Sequence, residues 1–144
     1  MKLQSVFNNN DKIPEKYTCD GDDINPLLEI SDIPENTKTL VLIVDDPDAP
    51  MGIWVHWILF NIPVIGKIEE NSVPEGAVQG INDFKKPEYG GPCPPGGTHR
   101  YFFKLYALDT ELDLAEGATK AEVEQAMKNH VLDKTELVGL YSRN

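Results

Sequence analysis

Apolar positions in this chain come in short bursts separated by turn-forming residues, a spacing that predicts strands rather than long helices. Lys38 to Asp45 (KTLVLIVD) is apolar on both faces and rich in β-branched residues, which predicts a strand in the middle of a sheet. Ile53 to Ile62 (IWVHWILFNI) reads the same way. In His99 to Leu108 the odd positions His99, Tyr101, Phe103, Leu105 and Ala107 share one face of a strand. Shorter runs predict strands at Leu3 to Phe7, Leu27 to Ile30, Ala77 to Ile81 and Leu137 to Tyr141. One helix stands out. Thr119 and Glu122 form a capping-box pair, and Val123, Ala126, Met127 and His130 recur at helical spacing, which puts His130 on the apolar face as a packing residue. Residues 63–97 hold long loops of the kind that are usually functional or disordered. With no repeat and no break, the expectation is one mainly β, largely antiparallel domain over residues 1–144, with a helix near its C-terminus.

Composition sharpens this picture at four points. The 11 prolines and 11 glycines explain why the runs are short. The formal net charge of −11 argues against nucleic acid or an anionic bilayer as a general partner, because both require a positive footprint. No stretch has the length of a signal peptide core or a membrane span, so a cytoplasmic protein without stable membrane attachment is expected. Cys19 and Cys93 are then expected as free thiols, since two cysteines make neither a zinc framework nor a disulfide scaffold.

Three constellations carry candidate chemistry. Asp45-Asp46-Pro47-Asp48-Ala49-Pro50 lies where a buried strand runs out; alone, it fits a solvated turn as well as a stiff pocket rim. His56 lies inside an apolar strand, where its ring nitrogens need partners; a satisfied core histidine and a pocket residue both meet that need. Its neighbours Trp54 and Trp57 suit either core packing or a pocket wall. The Gly/Pro-rich stretch from Tyr89 to Thr98 runs into His99 and Tyr101, and its glycines let backbone amides come close to a ligand.

The ordered set Asp46-Pro-Asp-Ala-Pro50, His56 in a strand, and Thr98-His99-Arg100-Tyr101 after a Gly/Pro loop resembles the phosphatidylethanolamine-binding protein (PEBP) family. It is most similar to the bacterial and archaeal, Raf-kinase-inhibitor-like branch. Cys19-Asp20-Gly21, His130-Val131-Leu132 and Glu136-Leu137-Val138-Gly139 resemble that branch too, so the likeness spans the chain. The resemblance implies a two-sheet antiparallel β-sandwich with a few short helices. It implies a ligand pocket for a small anion built from Asp46, His56, His99 and Tyr101, with Asp48, Ala49 and the Gly90–Pro95 loop, including Gly91 and Pro92, on the rim. It also implies a cis peptide in the DPDAP loop, for which Ala49–Pro50 is the candidate, and a homodimer.

The expected function is non-enzymatic and regulatory: binding of phosphate, a phosphorylated headgroup or a carboxylate, with no cofactor and no catalytic residue. Asp46 would orient one or both imidazoles, and Tyr101 with loop amides would complete the cage. Two other readings stay open. One is inhibition of a kinase or serine protease through a protein surface. The other is a metalloenzyme, since two histidines and a carboxylate form the facial set of non-haem iron sites. No GxSxG elbow, P-loop or GxGxxG occurs, which excludes a nucleotide-hydrolysing enzyme of those types.

Overall fold

A computed structural model describes residues 1–143. Nine strands form two sheets, accompanied among the described residues by one α-helix and one 3-10 turn at Glu15–Tyr17. The resemblance implied a few short helices; the single α-helix read from the residue pattern is the one present among the described residues. Three strands, β1 (Lys2–Ser5), β3 (Leu28–Ser31) and β6 (Lys67–Ile68), make the small sheet in the order β1-β3-β6. The other six are β2 (Asp11–Lys12), β4 (Thr39–Asp46), β5 (Trp54–Ile62), β7 (Val78–Gln79), β8 (His99–Leu108) and β9 (Val131–Tyr141), in the order β2-β9-β8-β4-β5-β7. All pairs are antiparallel except β2 with β9.

The central strand is the one whose sequence is apolar on both sides. Every residue of β4 is buried, because each face of the large sheet is covered. On one face Leu40, Leu42 and Val44 join Trp57, Leu59, Tyr101, Phe103 and Leu105 in a core shared with Leu3, Leu28, Ile30 and Ile68 of the small sheet. On the other face Val41, Ile43, Val55, Ile58 and Phe60 pack with Leu112, Val123 and Met127. The last two belong to α1 (Lys120–Met127), whose first turn is closed by the expected reciprocal bonds between Thr119 and Glu122.

The helix is shorter than its periodicity suggested. Lys128 leaves helical geometry and Asn129 takes φ 69°, so His130 falls outside it. Rather than packing on an apolar face, His130 is half exposed and its Nδ1 pairs with Asp109 Oδ1 at 2.8 Å. The final strand is longer than its apolar end suggested. Its first half is mostly exposed and polar, yet it pairs with β8 along nearly its full length. The weak strand at 77–81 shrinks to Val78–Gln79, the Leu3 strand starts one residue earlier and ends two residues earlier, and the Leu27 strand moves by one residue, the range over which element ends commonly differ.

Candidate functional site

Antiparallel pairing brings three chain segments to one end of the large sheet. There β4 ends at Asp46, β5 begins at Trp54 opposite it, and β8 begins at His99. Asp46, His56, His99 and Tyr101, collected from 56 residues of sequence, therefore line one cavity of about 210 Å3. Ala49, Pro50, Trp54, Phe84, Cys93, Pro94 and Pro95 complete its wall.

His56 reaches this cavity through an irregularity in β5. Val44 pairs with Trp57 and the next residue, Asp45, pairs with Val55, so His56 has no partner across the ladder. Such a bulge re-aims a side chain. Strict alternation would have placed His56 and Trp57 on opposite faces. Instead Trp57 joins the inter-sheet core while His56 lines the cavity on the same side. The His56 carbonyl released by the bulge is taken by the Gly90 N–H at 2.9 Å. Asn82 Nδ2 adds a longer contact to the same oxygen at 3.4 Å.

Each imidazole has one nitrogen committed. His56 Nδ1 donates to the Gly90 carbonyl at 2.7 Å, and His99 Nδ1 donates to Asp46 Oδ2 at 2.6 Å. These bonds assign the tautomers and leave both Nε2 atoms without a protein partner among the described residues. Burial pushes His56 below its ordinary 6.5, against the upward pull of the Gly90 carbonyl and the Asp46 charge. Its Nε2 is therefore an acceptor at neutral pH. Asp46 is only 3% exposed and has both oxygens in use, because Oδ1 accepts the Asp48 N–H at 2.7 Å.

The aromatic wall is built edge to face. His56 meets Tyr101 at 5.2 Å and Phe84 at 5.5 Å between ring centres, and Phe84 meets Trp54 at 5.4 Å. Two polar atoms of this wall are buried and unpaired: Trp54 Nε1 and the Tyr101 hydroxyl. Burial, with Asp46 and Asp48 nearby, holds Tyr101 firmly protonated. The Cys93 N–H draws near the phenolic oxygen and offsets part of that, but no group accepts the hydroxyl proton. Unpaired buried donors are uncommon and ask for an explanation.

Of the expected rim, Ala49, Cys93, Pro94 and Pro95 line the cavity, whereas Asp48, Gly90, Gly91 and Pro92 do not. Asp48 faces Arg100, taking its Nε at 2.9 Å, its Nη2 at 2.8 Å and its backbone N–H at 3.0 Å. This forked bond holds the Asp48 carboxyl down at about 2. Gly91 donates to Asp23 Oδ1 at 2.7 Å, and the Pro92 carbonyl accepts from Cys19 N at 3.1 Å. Gly90 and Gly91 amides are thus spent on the protein, and glycine is needed there for space. A Cβ on Gly91 would come within 2.5 Å of the Tyr17 carbonyl, and one on Gly90 within 2.6 Å of the Phe84 ring.

Two further expectations are corrected. There is no cis peptide among the described residues, so Ala49–Pro50 is trans. Cys19 and Cys93 are not free thiols: they form a disulfide with Cα atoms 5.4 Å apart, within the usual span of the bond. The 74 residues between them hid this proximity.

Sequence reasoning also missed Asn82 and Asp83. Asp83 continues the sheet where β7 stops, exchanging its N–H with the Val55 carbonyl at 2.9 Å and its Oδ2 with the Val55 N–H at 2.6 Å. Asn82, 2% exposed, ties the loop behind the cavity through Glu88 O at 2.7 Å and Lys86 N at 3.0 Å. Two polar residues in a turn-rich stretch gave no signal of burial.

The cavity is mostly apolar, with a few convergent polar groups at its base, the form that small-molecule pockets commonly take. The phosphatidylethanolamine-binding protein family profile matches residues 3–142. A UPF0098 protein of Pyrococcus horikoshii is 53% identical across 99% of this chain and 77% of its own. One from Methanothermobacter thermautotrophicus is 52% identical across 96% and 95%. Among solved structures, a PEBP homologue from Chlamydia trachomatis superposes with a TM-score of 0.95 at 42% identity, covering 99% of this chain and 97% of its own. Escherichia coli YbcL, described as a member of the mammalian PEBP family, gives 0.92 at 30% identity, covering 99% and 98%. The chain belongs to the PEBP family.

Proposed function

We propose that this protein is a non-enzymatic regulator that binds a small anion, namely a phosphate, a phosphorylated headgroup or a carboxylate, in the cavity between Asp46, His56 and His99. The observation that carries this reading is the pair of rings with their Nδ1 atoms committed and their Nε2 atoms open on one cavity. With a proton on Nε2, His99 is a charge-assisted donor whose counter-charge is already in place on Asp46. His56, neutral at rest, accepts a proton carried in by a hydrogen phosphate or a carboxylic acid. The Tyr101 hydroxyl and Trp54 Nε1 are further donors that a small shift of the wall would bring to a ligand.

Several features favour binding over catalysis. The cavity wall carries no serine, threonine or lysine, and its one cysteine is locked in a disulfide. Asp46 is better suited to orienting His99 than to holding a metal, since its two oxygens are engaged. No cluster of three His, Cys, Asp or Glu side chains with metal-holding geometry occurs among the described residues. No described helix is long and apolar enough to cross a membrane.

The direct test is a phosphate titration after treatment with EDTA, following the imidazole signals of all three histidines by NMR. His56 and His99 are expected to shift together and saturate, while His130, occupied with Asp109, stays still. Silence from both cavity rings would end the anion reading.

The pH dependence has a definite sign. Sulfate keeps constant charge through the neutral range, so its affinity reports the protein alone. The free cavity holds His56 below 6.5, and a bound anion raises that value. Affinity should therefore be flat in mild base and climb as pH falls through the window between the bound and free values, by no more than about tenfold per unit for one proton. Isothermal calorimetry in buffers of different ionisation enthalpy should report the same proton uptake. Affinity that falls on acidification would contradict this role for His56.

A further inference from the structure

The disulfide lies at the cavity itself. Cys93 is part of the wall, and Cys19 is not. Both half-cystines are only partly buried, so a small reductant can reach the bond. What the bond holds is specific. Up to Pro92 the loop is tied to the 17–23 segment by other contacts: Tyr89 Oη to the Tyr17 carbonyl at 2.8 Å, Gly91 N to Asp23 Oδ1 at 2.7 Å, and Cys19 N to the Pro92 carbonyl at 3.1 Å. Beyond His99 the chain is locked into β8, opposite β4 and β9. Between them, residues 93–98 make no standard hydrogen bond to the rest of the described chain, apart from the near approach of Cys93 N–H to Tyr101. Cys93, Pro94 and Pro95 of this stretch form one side of the cavity. Packing buries Pro94, and the disulfide is the one covalent tie between this wall and the 17–23 segment.

We propose that the Cys19–Cys93 disulfide is a redox gate on the cavity, closed and competent for ligand when oxidised, loosened and weak when reduced. The inference rests on the anion reading above. A low-molecular-weight thiol attacks one sulfur as its thiolate, forming a mixed disulfide and releasing the other cysteine. A second thiol then resolves the mixed disulfide, so the external pair leaves oxidised and the protein gains two electrons and two protons. Freed of that tie, the 93–95 wall samples more conformations, and ligand binding must first order it again. Coupling of this kind is reciprocal, so a bound anion must also resist reduction.

The test measures inorganic phosphate binding by calorimetry to three proteins: oxidised wild type, dithiothreitol-reduced wild type, and Cys19→Ser, which removes the bond by a substitution outside the cavity wall and leaves Cys93 as the thiol it also is in reduced wild type. Reduced wild type and Cys19→Ser should both bind roughly fivefold or more weakly than the oxidised protein, a modest allosteric coupling. Dithiothreitol should change nothing further in Cys19→Ser. In a glutathione redox titration, phosphate should move the midpoint toward the disulfide. Equal affinities in the oxidised and reduced wild type overturn the gate while leaving the anion reading intact. Failure of the oxidised protein to bind phosphate removes the anion reading itself, and the gate with it. Collapse of amide dispersion on reduction also overturns the gate, since the bond would then hold the whole domain rather than its cavity.

Discussion

Replacing His99 by alanine is expected to weaken phosphate binding about tenfold to a little over a hundredfold, the range for losing one charge-assisted hydrogen bond of about 1.5–3 kcal/mol. The same change should lower stability. His99 Nδ1 donates to Asp46 Oδ2 at 2.6 Å, and the Asp46 side chain is 4% exposed. Removing the donor leaves a buried carboxylate short of one hydrogen bond, typically at about 1.5–3 kcal/mol. The value here should fall near the lower end, because the vacated space opens on a cavity that admits water. A domain with ordinary stability of about 5–15 kcal/mol stays folded through such a loss.

The two effects are separable by a second substitution. Asp46→Asn in the His99→Ala background removes the stranded charge, and its side-chain oxygen can still accept the Asp48 N–H. Urea unfolding should show most of the lost stability regained, while calorimetry shows phosphate affinity no better than in the single variant. Restoration of both together would mean that binding merely followed stability. Unchanged affinity in a folded His99→Ala protein would falsify the site.

The residue pattern showed the strands but left each cavity segment open between a plain structural role and a pocket role; it was the resemblance to the PEBP family that joined Asp46, His56, His99 and Tyr101. The structure supplies the physical reason, since antiparallel pairing brings the ends of these strands together. Strands β4, β5 and β8 were visible because a central strand needs apolar residues on both faces. The capping box at Thr119 and Glu122 was visible because its bonds are local. The failures come from interactions that are not local. Period-two reasoning cannot see the bulge that turns His56 toward the same side as Trp57. Helical periodicity carried His130 past a stop set by the left-handed backbone of Asn129. The glycines at 90 and 91 looked like ligand-facing amides, whereas their neighbours Phe84 and Tyr17 demand the missing Cβ. Compartment reasoning argued for free thiols, but the pairing of Cys19 with Cys93 depends on a tertiary approach of two loops.

Asn82→Ala is the strongest expected perturbation outside the cavity, and it asks what keeps His56 in place. The bulge leaves the His56 carbonyl to be satisfied from the loop, and the loop in turn supplies the Gly90 carbonyl that holds His56 Nδ1. Asn82 braces that loop from beneath with Glu88 O at 2.7 Å, Lys86 N at 3.0 Å and the weaker contact to His56 O at 3.4 Å. Alanine removes all three, which at ordinary net values costs about 2 kcal/mol of stability. The backbone bonds of residue 82 to Lys86 and Lys85 remain, so the turn itself persists. Gly90 N–H, bonded to His56 O at 2.9 Å, is the sensitive reporter. Its hydrogen exchange should quicken more than that of the β4 amides, and phosphate affinity should fall roughly tenfold as the His56 ring loses its fixed partner. Gly90 exchange that slows and quickens only with global unfolding would show instead that the disulfide and the Tyr89–Tyr17 bond suffice to hold the loop, making Asn82 a passenger.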